Sequence, residues 1–178
     1  LVDLNPDALA RGLASIEKNL ARVVSKGRLS EGDASAALAR IVCVDSLSAG
    51  AGCSLAVEAV VEKSAVKAAV FAELDELCGP ETILASNTSS ISITEIGAST
   101  KRPDKVIGMH FMNPVPVMKL VEVIRGKETS DETTALVVAC AEQIGKVPVE
   151  ANDFPGFVAN RVLMPMINEA AFCLQDGV

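Results

Sequence analysis

The sequence predicts an α/β fold, a mostly parallel sheet with flanking helices, and two observations carry that expectation. Strand and helix patterns alternate from end to end, the order expected when crossovers of roughly 10–20 residues join parallel neighbours. The stretch Leu55 to Val61 (Leu-Ala-Val-Glu-Ala-Val-Val) is nearly continuous in apolar positions, as in a parallel strand covered on both faces. Length agrees: 178 residues are one domain of roughly 150 residues plus a remainder.

Asn5-Pro6 starts a long helix, with Asn as N-cap and Pro at the first helical position. Leu9, Leu13, Ile16, Leu20 and Val23 form its apolar stripe, and Gly27 stops it. Ser30 caps a second helix to about Leu38, and Ile41 to Val44 reads as a short strand. After the strand at Leu55 to Val61, a helix runs from Ser64 to Leu77 and closes at Gly79-Pro80. A strand at Thr82 to Ala85 leads into the polar turn Ser86 to Ser90, then a short helix near Thr94. Val106 to Phe111 and Leu120 to Ile124 are strands joined through Asn113-Pro114-Val115-Pro116. Ser130 caps a helix to about Ile144, Gly145 ends it, and Val147 to Val149 is the last strand. From Asp153 an amphipathic helix runs to the end, which places a domain boundary at Ala151-Asn152-Asp153: residues 1–151 and 152–178.

Composition excludes several functions. Sixteen Lys and Arg against 23 Asp and Glu give a net charge of −7, with five Phe and no Tyr or Trp. Nucleic acid is not an expected partner, because phosphate contact needs clustered positive charge and base stacking needs rings. No stretch reaches the ~18–20 apolar residues of a membrane span. The first residues lack signal-peptide features and an initiator Met, so the chain is expected to begin inside a larger protein. Five cysteines without a Cys-x-x-Cys pair fit reduced thiols in the cytoplasm, and His110 alone cannot build a His-rich metal site. Nucleophilic catalysis is unsupported, since no Gly-x-Ser-x-Gly elbow and no Cys beside His110 occurs.

Polar residues at the carboxyl ends of parallel strands are candidate ligand contacts. Asp3 is either a solvated carboxylate near a helix start or an acceptor for the ribose hydroxyls of NAD, where an acid would repel a 2′-phosphate. Glu62 and the turn Ser86 to Ser90 lie at such ends, although turn chemistry alone accounts for the latter. Gly50-Ala51-Gly52 precedes a strand and lacks a third Gly, so it is not a phosphate loop. His110 ends one apolar strand, and Glu122 sits inside the next, twelve residues on. The short connection predicts antiparallel neighbours. The pair is then either a His–carboxylate dyad, which fixes the tautomer and stabilises the imidazolium, or an exposed edge-strand Glu beside an unrelated core His. Asn160 shares helical spacing with Phe157, Met164 and Ile167, which predicts an inward-facing amide in need of partners.

Four stretches together resemble the L-3-hydroxyacyl-CoA dehydrogenase family, which includes 3-hydroxybutyryl-CoA dehydrogenases. They are Glu58 to Glu62 (Glu-Ala-Val-Val-Glu), Ala85 to Ser90, Gly108 to Lys119 with its His-Phe-Met-Asn-Pro-Val-Pro core, and Asp153 to Arg161. The resemblance covers essentially the whole chain. It implies a Rossmann-like domain followed by the first helix of an all-α domain, with the first strand and glycine-rich loop of the former and most of the latter missing. It also implies NAD-dependent interconversion of 3-hydroxyacyl-CoA and 3-ketoacyl-CoA in fatty acid metabolism. In that setting His110 matches the catalytic base and Glu122 its orienting carboxylate. Ser89 and Asn160 match residues that hydrogen-bond the substrate oxygen, and Asn113 one near the nicotinamide. Asp3, Glu62, Lys67 and Ser89 match cofactor contacts, while Asn19, Lys26 and Ser89 lie where the family meets CoA. The implied partners are an acyl-CoA, a second subunit in a homodimer, and a fused or associated enoyl-CoA hydratase. A catalytically silent truncated remnant, and a related dehydrogenase acting on a non-CoA hydroxy acid, are the alternatives.

Overall fold

The structure, a computed structural model, describes all 178 residues. The chain divides into two compact units, Leu1–Ala51 and Gly52–Val178.

In the first unit, helix α1 spans Pro6–Ser25. The Asn5 side chain accepts from the N–H groups of Asp7 and Ala8, and Gly27 (φ 65°) follows the helix, so both predicted ends hold. Helix α2, Glu31–Ala39, is capped by Ser30. The strand predicted at Ile41 to Val44 is absent. Only an isolated parallel bridge joins Val44 to Val2.

The second unit holds a five-stranded sheet in the order β1 (Leu55–Glu58), β2 (Ile83–Ser86), β3 (Val106–Phe111), β4 (Leu120–Arg125), β5 (Val147–Asn152). Strands β1 to β3 are parallel, β4 is antiparallel to β3, and β5 is parallel to β4. Between them lie α3 (Ser64–Leu77), α4 (Ile93–Gly97) and α5 (Asp131–Gln143), and α6 (Ala159–Asp176) closes the chain. The mostly parallel α/β fold is as predicted. No helix is long and apolar enough to cross a membrane.

Three element bounds differ by more than one residue from the sequence reading. Strand β1 stops at Glu58 instead of Val61, because the Glu58 carboxylate accepts the Val60 N–H (2.5 Å) and turns the chain out of the sheet. Val57, Val60 and Val61 are exposed, so this strand is not covered on both faces. Strand β5 runs three residues further, to Asn152, in continuous register with β4. Helix α6 begins at Ala159 rather than Asp153. Gly156 (φ 78°) and Phe157 (φ 48°) take left-handed conformations that interrupt the helix, and the Asp153 carboxylate is occupied at the start of α4. Burial raises the Asp153 pKa, but the Ser92 and Thr94 hydroxyls and the Thr94 and Ile93 N–H groups outweigh it and leave it lowered.

One face of the sheet packs Ile83, Ala85, Ile107, Met109, Val121 and Val123 against Val137 and Ala141 of α5. The opposite face carries His110 and Glu122, behind a row in which Gly108 lies between Ser86 and Ile124. A Cβ on Gly108 would stand 2.8 Å from Ile124 Cβ, so only glycine lets the strands meet there.

Candidate active site

Two buried carboxylates organise this face. Glu58 accepts from Lys67 Nζ (2.7 Å), Ser86 Oγ (2.7 Å) and the Val60 N–H. The same ammonium reaches Glu62 Oε2 (3.3 Å) and the Val60 carbonyl (3.4 Å). Three acceptors use all three N–H bonds of a lysine that is 1% exposed. Glu62 then gathers the polar turn: its Oε1 accepts from Thr88 Oγ1 (2.5 Å), Ser89 N (2.9 Å), Ser90 N (3.1 Å) and Ser90 Oγ (3.1 Å). Burial pushes the Glu62 carboxyl up, but these donors and the Lys67 charge prevail and hold its pKa at about 2.

The second carboxylate is Glu122, 1% exposed and opposite His110 in the β3–β4 register. His110 Nδ1 lies 2.8 Å from Glu122 Oε2. Glu122 Oε1 accepts the N–H groups of Val158 (2.9 Å) and Ala159 (2.8 Å) at the start of α6, where the helix dipole favours an anion. With no Lys or Arg beside it, Glu122 is held by an imidazole and two peptide donors. His110 Nε2 points the other way, 3.1 Å from Ser89 Oγ, and the Phe157 ring meets the imidazole edge-on at 5.8 Å.

Thus Glu62, Lys67, Ser89, His110, Glu122 and Asn160 form one hydrogen-bonded system in the second unit. Asn160 takes part through its side-chain N–H, which donates to the Ser89 carbonyl (3.2 Å). Its predicted companions Met164 and Ile167 are exposed, because α6 buries no residue. Asn113, exposed, follows His110 and precedes a cis peptide to Pro114. Asp3, Asn19 and Lys26 belong to the first unit. Asp3 is exposed with Oδ1 on the Asn5 N–H (2.8 Å), Asn19 is half-buried on α1, and Lys26 is exposed at its end.

Four contributors were not assigned a role from the sequence. Glu58 carried the same signal as Glu122, a carboxylate inside an apolar strand. Phe157 and the N–H groups of Val158 and Ala159 carried no signal of their own, because a left-handed Phe and a peptide donor look like ordinary loop.

Each unit, taken by itself, carries polar groups of the kind a nicotinamide dinucleotide needs. Asp3 keeps Oδ2 without a hydrogen-bond partner among the contacts of its own unit. Near His110 the exposed groups are hydroxyls and amides, Ser89 and Asn113, while the nearby cation Lys67 is consumed internally. Such groups match ribose hydroxyls and a carboxamide.

Comparison with known proteins gives concordant results. Residues 1–154 match the family described as 3-hydroxyacyl-CoA dehydrogenase, NAD binding domain. A probable 3-hydroxybutyryl-CoA dehydrogenase of Bacillus subtilis is 54% identical over 178 residues, 100% of this chain and 62% of that protein. The crystal structure of 3-hydroxybutyryl-CoA dehydrogenase from Escherichia coli superposes with a TM-score of 0.96 at 42% identity, over 100% of this chain and 38% of that one. That of (S)-3-hydroxybutyryl-CoA dehydrogenase from Ralstonia eutropha gives 0.95 at 46% identity, over 99% and 62%. The chain therefore spans less than two thirds of the length of these relatives.

Proposed function

This chain belongs to the 3-hydroxyacyl-CoA dehydrogenase family, within its NAD-binding domain, and from that premise we propose that the protein interconverts an L-3-hydroxyacyl-CoA and the 3-ketoacyl-CoA, with His110 as general base. The observation that carries this reading is the asymmetry of the imidazole: Nδ1 is held on Glu122, while Nε2 faces a single exposed hydroxyl, Ser89. Glu122, as an ionised acceptor, fixes the tautomer with the proton on Nδ1. Nε2 then has a lone pair free for the proton of the substrate 3-hydroxyl, and the resulting imidazolium is stabilised by the Glu122 charge. The Ser89 hydroxyl and the Asn160 amide steady the substrate oxygen as its bond order changes. NAD, when bound, would supply the acceptor for the hydride that leaves C3 of the substrate. Asp3 and Asn113 contact it, and Lys67 supports that side through Glu62. Asn19 and Lys26 meet the CoA portion.

Residues 1–151 form the nucleotide-binding domain and residues 152–178 open a helical one. The exposed apolar side chains of α6, including Val162, Met166 and Phe172, favour a homodimer of the complete protein. Five free thiols favour a cytoplasmic setting. The match to a fatty acid oxidation complex subunit alpha of Idiomarina loihiensis, of which this chain covers 24%, favours a fused or associated enoyl-CoA hydratase.

The test is NADH oxidation by the full-length protein with acetoacetyl-CoA. Robust turnover, together with a raised KM in Lys26→Ala, is expected. Turnover that leaves KM unchanged in that variant would point to a non-CoA hydroxy acid, and absence of turnover to a silent remnant.

A further inference from the structure

Four consecutive residues touch each member of the Ser89–His110–Glu122 system. The Phe157 ring packs edge-on against His110 (5.8 Å, 61°). Val158 and Ala159 donate their N–H groups to Glu122 Oε1. Asn160 donates to the Ser89 carbonyl. Phe157 itself is 3% exposed and held at φ 48°, a conformation that bulky residues rarely adopt. Gly156 before it is also left-handed, and a Cβ there would lie 3.1 Å from Arg161 N.

We infer that Phe157 is a positioning residue for His110, through a turn that makes the dyad depend on the seating of α6. The inference rests on the reading of His110 as base. Glu122 has two oxygens in a buried position and no cation, so Oε1 needs donors. The left-handed turn at Gly156-Phe157 aims two peptide N–H groups at that oxygen, which leaves Oε2 directed at Nδ1. The Phe157 ring limits rotation of the imidazole in the same step. When the start of α6 leaves its seat, Oε1 loses both donors, the carboxylate is free to turn, and His110 loses the constraint that keeps the proton on Nδ1. The base is thereby competent only while the helix is docked.

His110 is the sole histidine, so two-bond ¹H–¹⁵N correlation spectra of the imidazole report on it alone. The wild-type chain is expected to show the Nδ1–H tautomer. Phe157→Gly, which permits the backbone angle but removes the ring, is expected to shift the neutral imidazole toward Nε2–H. In the full-length protein kcat should fall at least about 10-fold with KM for NAD unchanged, as expected for a misoriented base. Phe157→Leu keeps apolar volume and carries the same test if the glycine variant fails to fold. A wild-type spectrum lacking the Nδ1–H tautomer overturns the inference by itself, as does a wild-type imidazole spectrum in either folded variant. If the spectra change as expected but no 3-hydroxyacyl-CoA is oxidised, the positioning role stands and the proposed reaction fails.

Discussion

Glu58 and Glu122 are both carboxylates in apolar strands, and they are 5% and 1% exposed, yet their surroundings are opposites. Glu58 is closed: Lys67, Ser86 and the Val60 N–H occupy its oxygens, and the remaining N–H bonds of Lys67 end on other atoms of the chain. Glu122 is the inner end of an open relay. Peptide donors hold one oxygen, His110 takes the other, and the far imidazole nitrogen faces only the hydroxyl of exposed Ser89. Burial does not separate the two clusters. What separates them is a basic atom left available at the end of a fixed chain of hydrogen bonds.

The closed cluster should respond to substitution through stability. Lys67→Met leaves Glu58 buried without its cation, and loss of one partner from a buried pair costs about 3–5 kcal/mol. Urea denaturation is expected to show a loss of that order, and a change below about 1 kcal/mol would mean that the pair is not closed. Between the clusters, Gly108→Ala forces Ile124 and Ile93 to give way, at about 1–3 kcal/mol. Its effect should fall on the His110–Glu122 side, seen as displaced imidazole signals with the Ser89 and Ser90 amide signals retained. The smallest effect concerns acid. Because the Glu62 pKa is depressed, the stability it contributes is complete above the ordinary glutamate value of about 4.3 and is lost as pH falls through about 2. Protection of the Ser89 and Ser90 amides, each taken relative to its intrinsic exchange rate at the same pH, should therefore fall over that window in wild type, and Glu62→Gln should abolish the dependence.

Much of this arrangement was legible in the sequence, for reasons that differ by residue. Glu122 stood out because a carboxylate among Leu120, Val121, Val123 and Ile124 is costly unless partnered, and a short connection brings it opposite His110. Helix ends marked by Asn5, Ser30, Ser130 and Gly145 followed from capping chemistry that acts within a few residues. Where a distant side chain competes with the local pattern, the sequence misleads. Strand β1 stops early because Glu58 captures the Val60 N–H, a choice that apolar periodicity does not reveal. The segment from Asp153 looked helical, yet the Asp153 carboxylate is drawn to Ser92, Ile93 and Thr94, some 60 positions earlier. Phe157 was invisible as a contributor because its role depends on a left-handed turn.

The most direct measurement of the central claim, that His110 Nε2 is the open end of the relay and takes the substrate proton, is the turnover of His110→Gln in the full-length protein. With NADH and acetoacetyl-CoA, kcat is expected to fall by roughly 10²–10⁴, the range for a lost general base, while Tm and NADH affinity stay at the wild-type values. A folded His110→Gln protein that turns over at the wild-type rate would contradict the claim.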